Sequence, residues 1–323
     1  MSFIFYCKFD IFVVLFYCKE LDEAMEEEKK EELLEEKVEE VKEEHRPNKY
    51  ASIIVTLIVA IFMIYGGQIL GGVVTMLPAS AMGLPEKYNI FLEYACFIGI
   101  DLLVILYLLI NKKDKYMLKK LSYKPGHFLI GLVIGGTLNI ACAFGAMLNG
   151  DLMIGLSKVT IIGLLIAFIL VWIQSTAEEL VCRLFIYQRV KRDFKSALVP
   201  IIINSVFFGA LHLGNQDVTV LAIVNIIIYG LFMSVFIHYF DGIWIASAIH
   251  TSWNFMQNFI LGLPNSGTPA EYSLFKAISA KNSFFYDVGF GVEGTVFCTI
   301  LLTLGIVLIY FLCHKKKLAT EAV

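Results

Sequence analysis

The chain has 323 residues, of which 58% are hydrophobic, 14% aromatic and 17% charged, and its mean hydropathy is +0.73. Soluble domains run at about 45–50% apolar and about 25% charged residues, so this excess must be hidden from water, and a cytosolic enzyme of this length is excluded. Residues 1–50 hold 15 of the 29 acidic and 8 of the 26 basic residues, so the formal charge of −3 averages an acidic head and a mildly basic body. The basic residues form no dense stripe of the kind nucleic acid requires. The 7 cysteines show neither CxxC nor paired spacing, which argues against a disulfide framework or a cysteine-ligated zinc.

In chain order, residues 1–18 contain an apolar run broken by Lys8 and Asp10. That run is too short and too charged for a span, and it lacks the basic start and small-residue cleavage site of a signal peptide. Translation from Met25, with residues 1–24 a mis-called start or a loose interfacial segment, is the expectation. From Glu20 to Glu44 blocks of glutamate and lysine favour a solvated, partly helical tail. A coiled-coil partner of this head is the lesser alternative, because sustained heptads are missing.

Apolar stretches long enough for a ~30 Å hydrocarbon core follow at 51–77, 89–111, 127–148, 158–188, 197–213, 218–240, 243–262 and 294–313. The loop 112–126 carries six lysines, the loop 189–196 carries Arg189, Lys191, Arg192 and Lys195, and the C-terminus carries Lys315, Lys316 and Lys317. Loops at the other end carry only Lys87, Lys158, Lys276 and Lys281. Lys and Arg mark the cytoplasmic side, so both termini fall inside, as an even number of spans requires. The expected fold class is all-α: a polytopic membrane helix bundle of about eight transmembrane helices with both termini cytoplasmic. Its divisions are an acidic head at 1–50, a transmembrane domain at 51–315 with its core at about 158–262, and a tail at 316–323. The protein is expected in a membrane, the plasma membrane if bacterial. Gly67-x-x-x-Gly71 and Gly131-x-x-x-Gly135 read as helix-packing faces.

An ionisable group inside a span costs free energy unless it is paired or faces a cavity, so each is a functional candidate. They gather in TAEELVCRLF (Glu178, Glu179, Arg183), in FFGALHLGN (His212) and in ASAIHTSWNF (His250, Asn254). Glu179 and Arg183 are four apart with the acid N-terminal, the favourable order for a helix ion pair. Glu178 lies about 100° round the helix from Glu179 and so addresses a different point. Its own face offers Gln174 and Cys182 and no counter-charge, which suits a general base. His250 and Asn254 share a face, and Phe208 stands where its ring can buttress His212. Counted from the lysine-rich ends, these groups fall in one slab, in the cytoplasmic half to the middle of the bilayer. Taken singly, His212 or His250 is more often a helix–helix hydrogen-bonding group, and His238 an interfacial one; Asp101 carries no assignment.

The ordered set Glu178-Glu179-x-x-x-Arg183, Phe208-x-x-x-His212 and His250-x-x-x-Asn254 resembles the CPBP family of intramembrane proteases (CAAX protease and bacteriocin-processing, or Abi, proteins), over about residues 158–262. The resemblance implies an intramembrane endopeptidase, akin to type II CAAX prenyl endopeptidases, that cleaves a peptide or membrane-protein substrate, lipidated in some relatives. Carried over, Glu178 activates water, His212 holds the water or a proton, and His250 and Asn254 stabilise the oxyanion. Glu179, Arg183 and Phe208 would organise the site. The family has been described as metal-dependent and as glutamate-dependent. Glu178, His212 and His250 could ligate a divalent metal such as zinc in an open site, yet no HExxH is present. A metal-free mechanism is preferred, because the Asn254 amide is a better oxyanion donor than zinc ligand. The alternatives are a non-enzymatic bacteriocin-immunity or scaffold protein, and a proton-coupled transporter using Glu178 and Asp101; the latter is weakened by the absence of internal repeats.

Overall fold

The computed structural model describes residues 48–85 and 88–321, with side chains to residue 313. The expectations for the acidic head, its start site and its coiled-coil partner lie outside the described residues. The described chain is mostly helical. Helix α1 spans Lys49–Ala81, α2 Asn89–Ala95, α3 Ile98–Ile110 and α4 Pro125–Leu148. Helix α5 (Ile161–Glu179) runs through a π-helical segment, Leu180–Ile186, into α6 (Tyr187–Asp193). Then come α7 (Leu198–Leu211), α8 (Val220–Phe240), α9 (Ile243–Asn254) with a π-helical extension Phe255–Ile260, and α10 (Val296–Glu321).

Each apolar stretch read from the sequence therefore forms helix, but not every helix is long enough to span. Among the described residues six helical segments have the length and composition to cross a membrane. The fifth stretch yields the 14-residue α7, and the seventh the 12-residue α9, which its π-helical extension carries on to Ile260. The all-α expectation is also corrected in one place. Strands β1 (Leu152–Leu156) and β2 (Phe275–Ala280) pair antiparallel, tying the segment before α5 to the one before α10.

The two ends of the bundle differ chemically. At the lysine-rich end, Asp114 takes Arg192 at 2.8 Å and Arg189 at 3.6 Å, Ser52 donates to Asp193, and Lys120 pairs with Asp241. At the opposite end, Lys281 meets Asp151 at 3.1 Å and Asn215 donates to the Ser266 carbonyl at 2.7 Å. The glycine pairs act as packing faces, as expected. A Cβ at Gly71 would strike the Cys96 carbonyl oxygen at 1.7 Å, and one at Gly135 the Ile249 carbonyl oxygen at 2.1 Å. The second crossing presses α4 against α9 and fixes the helix that carries His250 and Asn254.

Candidate active site

The polar residues of α5 and the π-helical segment are held by a buried ion pair. Arg183 Nη1 donates to Glu179 Oε1 at 3.0 Å, and neither side chain is exposed. The guanidinium also lies over the Phe208 ring, 4.4 Å from its centroid, a cation–π contact that strengthens out of water. Arg183 Nε and Nη2 and Glu179 Oε2 have no hydrogen-bond partner, so the pair and the ring carry this charge. A π-helical turn is a rare local distortion that recurs at functional sites; here it contains the arginine itself.

Glu179 has a second duty. Its Oε1 lies 2.9 Å from His250 Nδ1, and a carboxylate paired to arginine can only accept there, so Nδ1 carries the proton. His250 Nε2 is then the atom left for other work, and it faces Glu178 Oε2 at 3.8 Å. The two adjacent glutamates thus address one imidazole from its two nitrogens, where helix geometry suggested separate destinations. The 100° offset is spanned because His250 lies across both side chains from α9. Phe208 holds the ring on one side (centroids 5.9 Å apart) and Tyr229 on the other (5.8 Å).

Gln174 is the residue whose role the sequence concealed. Its Nε2 donates to Glu178 Oε1 at 2.5 Å, and its Oε1 accepts from Asn254 Nδ2 at 3.1 Å. The amide therefore fixes the carboxylate and the asparagine together, and leaves the second Asn254 N–H uncommitted. An uncharged residue one turn before a glutamate gives little sign of this in sequence. His212 follows α7 as its C-cap, with Nδ1 2.8 Å from the Phe208 carbonyl oxygen. A carbonyl only accepts, so Nε2 is again the free nitrogen. Tyr229 was also missed, because a tyrosine in an apolar helix reads as packing; its hydroxyl is buried without a partner.

Glu178, His212, His250 and Asn254 all line one chamber of about 330 Å³. Glu179 and Arg183 lie behind its wall. Its roof is the segment around residues 265–268, pinned by Glu293. That carboxylate accepts from Trp253 Nε1 at 2.7 Å and from the Ser266 N–H and hydroxyl at 2.7 and 2.6 Å. Burial pushes the Glu293 carboxyl above the usual range, and the hydrogen bonds from Ser266 and Trp253 oppose that. Gly267 turns the roof at φ +84°, where a Cβ would meet the Gln216 carbonyl oxygen at 2.2 Å; glycine is the residue that tolerates both demands.

Glu178, His212 and His250 are the candidate zinc ligands, but among the described residues no three His, Cys, Asp or Glu side chains converge closely enough to hold a metal ion. His238 lies near Tyr187, its Nδ1 3.5 Å from the hydroxyl, away from the chamber lining. Asp101 is half-buried, with Oδ1 unpartnered, and is not among the residues lining the chamber.

Six apolar helices of spanning length and this chamber among them define an integral, multi-pass membrane protein. A family model described as Type II CAAX prenyl endopeptidase Rce1-like matches residues 158–256, the segment that holds all three motifs. The match supports assignment to the CPBP, or CAAX protease, family, and points to a protease that acts on peptides in a membrane. Comparisons with curated proteins and with solved structures return no match.

Proposed function

We propose that the chain is an intramembrane endopeptidase in which Glu178 activates the attacking water. The observation that carries this reading is the fixed arrangement around Glu178. One carboxylate oxygen is held by Gln174 and the other faces His250 Nε2, at the wall of a chamber that also receives His212 and Asn254. The Glu178 carboxylate takes a proton from water positioned by His212 Nε2, and the resulting hydroxide attacks the scissile carbonyl carbon. The free N–H of Asn254 donates to the oxygen as it becomes negative, while His250 Nε2, unprotonated because Nδ1 carries the ring proton, accepts from the Glu178 carboxyl once that carboxyl has taken its proton. Donors held in place before the reaction are worth about 10²–10³ in kcat each. Glu178 then delivers its proton to the leaving amine nitrogen as the C–N bond breaks, so the carboxylate returns to its starting state. Glu179 and Arg183 position His250 and do not touch the substrate. The mechanism uses no metal, and the fold is an eight-pass bundle with both termini in the cytoplasm, α7 and α9 being its two shorter passes.

The test is turnover of a peptide library by wild type and by Glu178→Gln in proteoliposomes. Cleavage by the wild type that is lost in the variant is expected. Equal cleavage by both removes Glu178 as the base. Glu178-dependent uptake driven by a pH gradient, without cleavage, replaces the protease by a transporter. Chelator inhibition reversed specifically by zinc overturns the metal-free mechanism.

A further inference from the structure

We infer that the acidic segment 26–44 docks on the lysine-rich end of its own bundle and covers that surface against anionic lipid. The inference is independent of the reaction at Glu178.

The surface is continuous and its charge is uncompensated. The segments 112–124 and 189–195 touch: Arg192 pairs with Asp114 at 2.8 Å, and the Tyr116 hydroxyl donates to the Gln188 carbonyl at 3.2 Å. Among the described side chains, Lys49, these two segments and Asp241 bring 11 basic and 3 acidic residues together, a formal +8. All three carboxylates are engaged. Asp114 holds Arg189 and Arg192, Asp193 takes Arg192 and Ser52, and Asp241 takes Lys120. Lys112, Lys113, Lys115, Lys119 and Lys195 are exposed. Among the described residues no carboxylate lies within ion-pair distance of any of them. Charges of one sign gathered in this way repel one another and attract an acidic occupant.

The path of the chain says which occupant. Helix α1 begins at Lys49, and its first turn is fastened to this same surface. Ser52 donates to Asp193, and the Tyr50 and Phe194 rings meet edge to face with centroids 6.4 Å apart. Residues 26–44 hold 11 acidic and 4 basic residues, a formal −7 that nearly cancels the charge of the surface. They follow Met25, so a start at either methionine retains them. Glu44 is four residues from Asn48, at most about 14 Å along an extended chain. The tether therefore holds these acids beside the lysines at an effective concentration on the order of millimolar. A single exposed ion pair is worth little, but a set of weak pairs suffices when its members cannot diffuse apart. Anionic lipid is attracted by each basic residue near the membrane surface, and here it must displace a partner already in place.

Carbodiimide cross-linking of the full chain in neutral detergent tests this, because it joins a carboxylate directly to an amine. Links within one chain are expected between the segment 26–44 and the lysines of 112–119 or Lys195. Raising the salt from about 0.1 to about 1 M shortens the screening length from about 10 to about 3 Å, and should lower their yield at least about threefold. Reversing Glu39, Glu40, Glu43 and Glu44 to Lys should lower it similarly, as should reversing Lys112, Lys113, Lys115 and Lys119 to Glu. Combining the two reversals should restore the links, which a mere loss of folding could not do. Absence of links in the wild type, or links indifferent to salt and to reversal, overturns the inference. Two further results also overturn it by naming another occupant. Links between isotopically light and heavy chains assign the surface to a second copy. Links that persist in phosphatidylcholine vesicles but vanish when phosphatidylglycerol is added assign it to anionic lipid.

Discussion

Replacing Glu179 by glutamine separates the residue that positions from the one that reacts. Glu179 is wholly buried and holds both the Arg183 guanidinium at 3.0 Å and His250 Nδ1 at 2.9 Å. Glu179→Gln leaves the arginine charge buried with only the Phe208 face beside it. Breaking one side of a buried pair costs about 3–5 kcal/mol. At about 2–4 °C per kcal/mol for a domain of some 150–250 residues, the unfolding midpoint falls by on the order of 10 °C. Glu178→Gln is the contrast: its side chain is 18% exposed and Gln174 can still donate to an amide oxygen, so stability should change by about 1 kcal/mol or less. Thermal unfolding in detergent, followed by the fluorescence of buried Trp253, measures both. The double variant Glu179→Gln/Arg183→Met removes both charges and should recover most of the stability. It should not recover peptide cleavage, because His250 has lost its anchor. A Glu179→Gln protein that unfolds at the wild-type temperature refutes the claim that this pair holds the site.

Three further outcomes are expected. Tyr229→Phe removes an unpartnered buried hydroxyl beside His250, so folding should be unchanged or slightly improved while kcat falls about tenfold if the hydroxyl serves the oxyanion; an unchanged kcat assigns the tyrosine to packing. Gly135→Ala forces a methyl into the Ile249 carbonyl at the α4–α9 crossing, and should cost about 1–3 kcal/mol and lower turnover by shifting His250, both read in the same unfolding and cleavage assays. The Asp151 carboxyl is held below its usual range, first by a hydrogen bond with Ser283, then by Asn149 and Lys281. A depressed folded-state pKa contributes stability above the unfolded value of about 4 that is lost as pH falls through the folded one. Protection of the β1–β2 amides from hydrogen exchange should therefore weaken on that acid limb, and Asp151→Asn should remove that dependence.

The membrane helices were legible because hydrocarbon thickness fixes their length, and the site because charged residues in apolar helices are conspicuous. Glu178, His212, His250 and Asn254 do meet at one chamber. Features held by polar but uncharged groups, or by residues far apart in sequence, were not legible. Gln174 carries no charge, and β1 and β2 lie more than a hundred residues apart. Glu293 sits just before an apolar helix, where it reads as an ordinary loop acid.

Glu293 joins the roof to α9. One carboxylate holds Ser266 through one oxygen and Trp253 through the other, and Trp253 is three residues along α9 from His250 and adjacent to Asn254. Lifting the roof to admit a polypeptide must therefore either break the bonds to Ser266 or pull on α9. On the proposed mechanism, a chain that displaces the roof would thereby also shift the helix that presents Asn254, linking entry to the alignment of that donor.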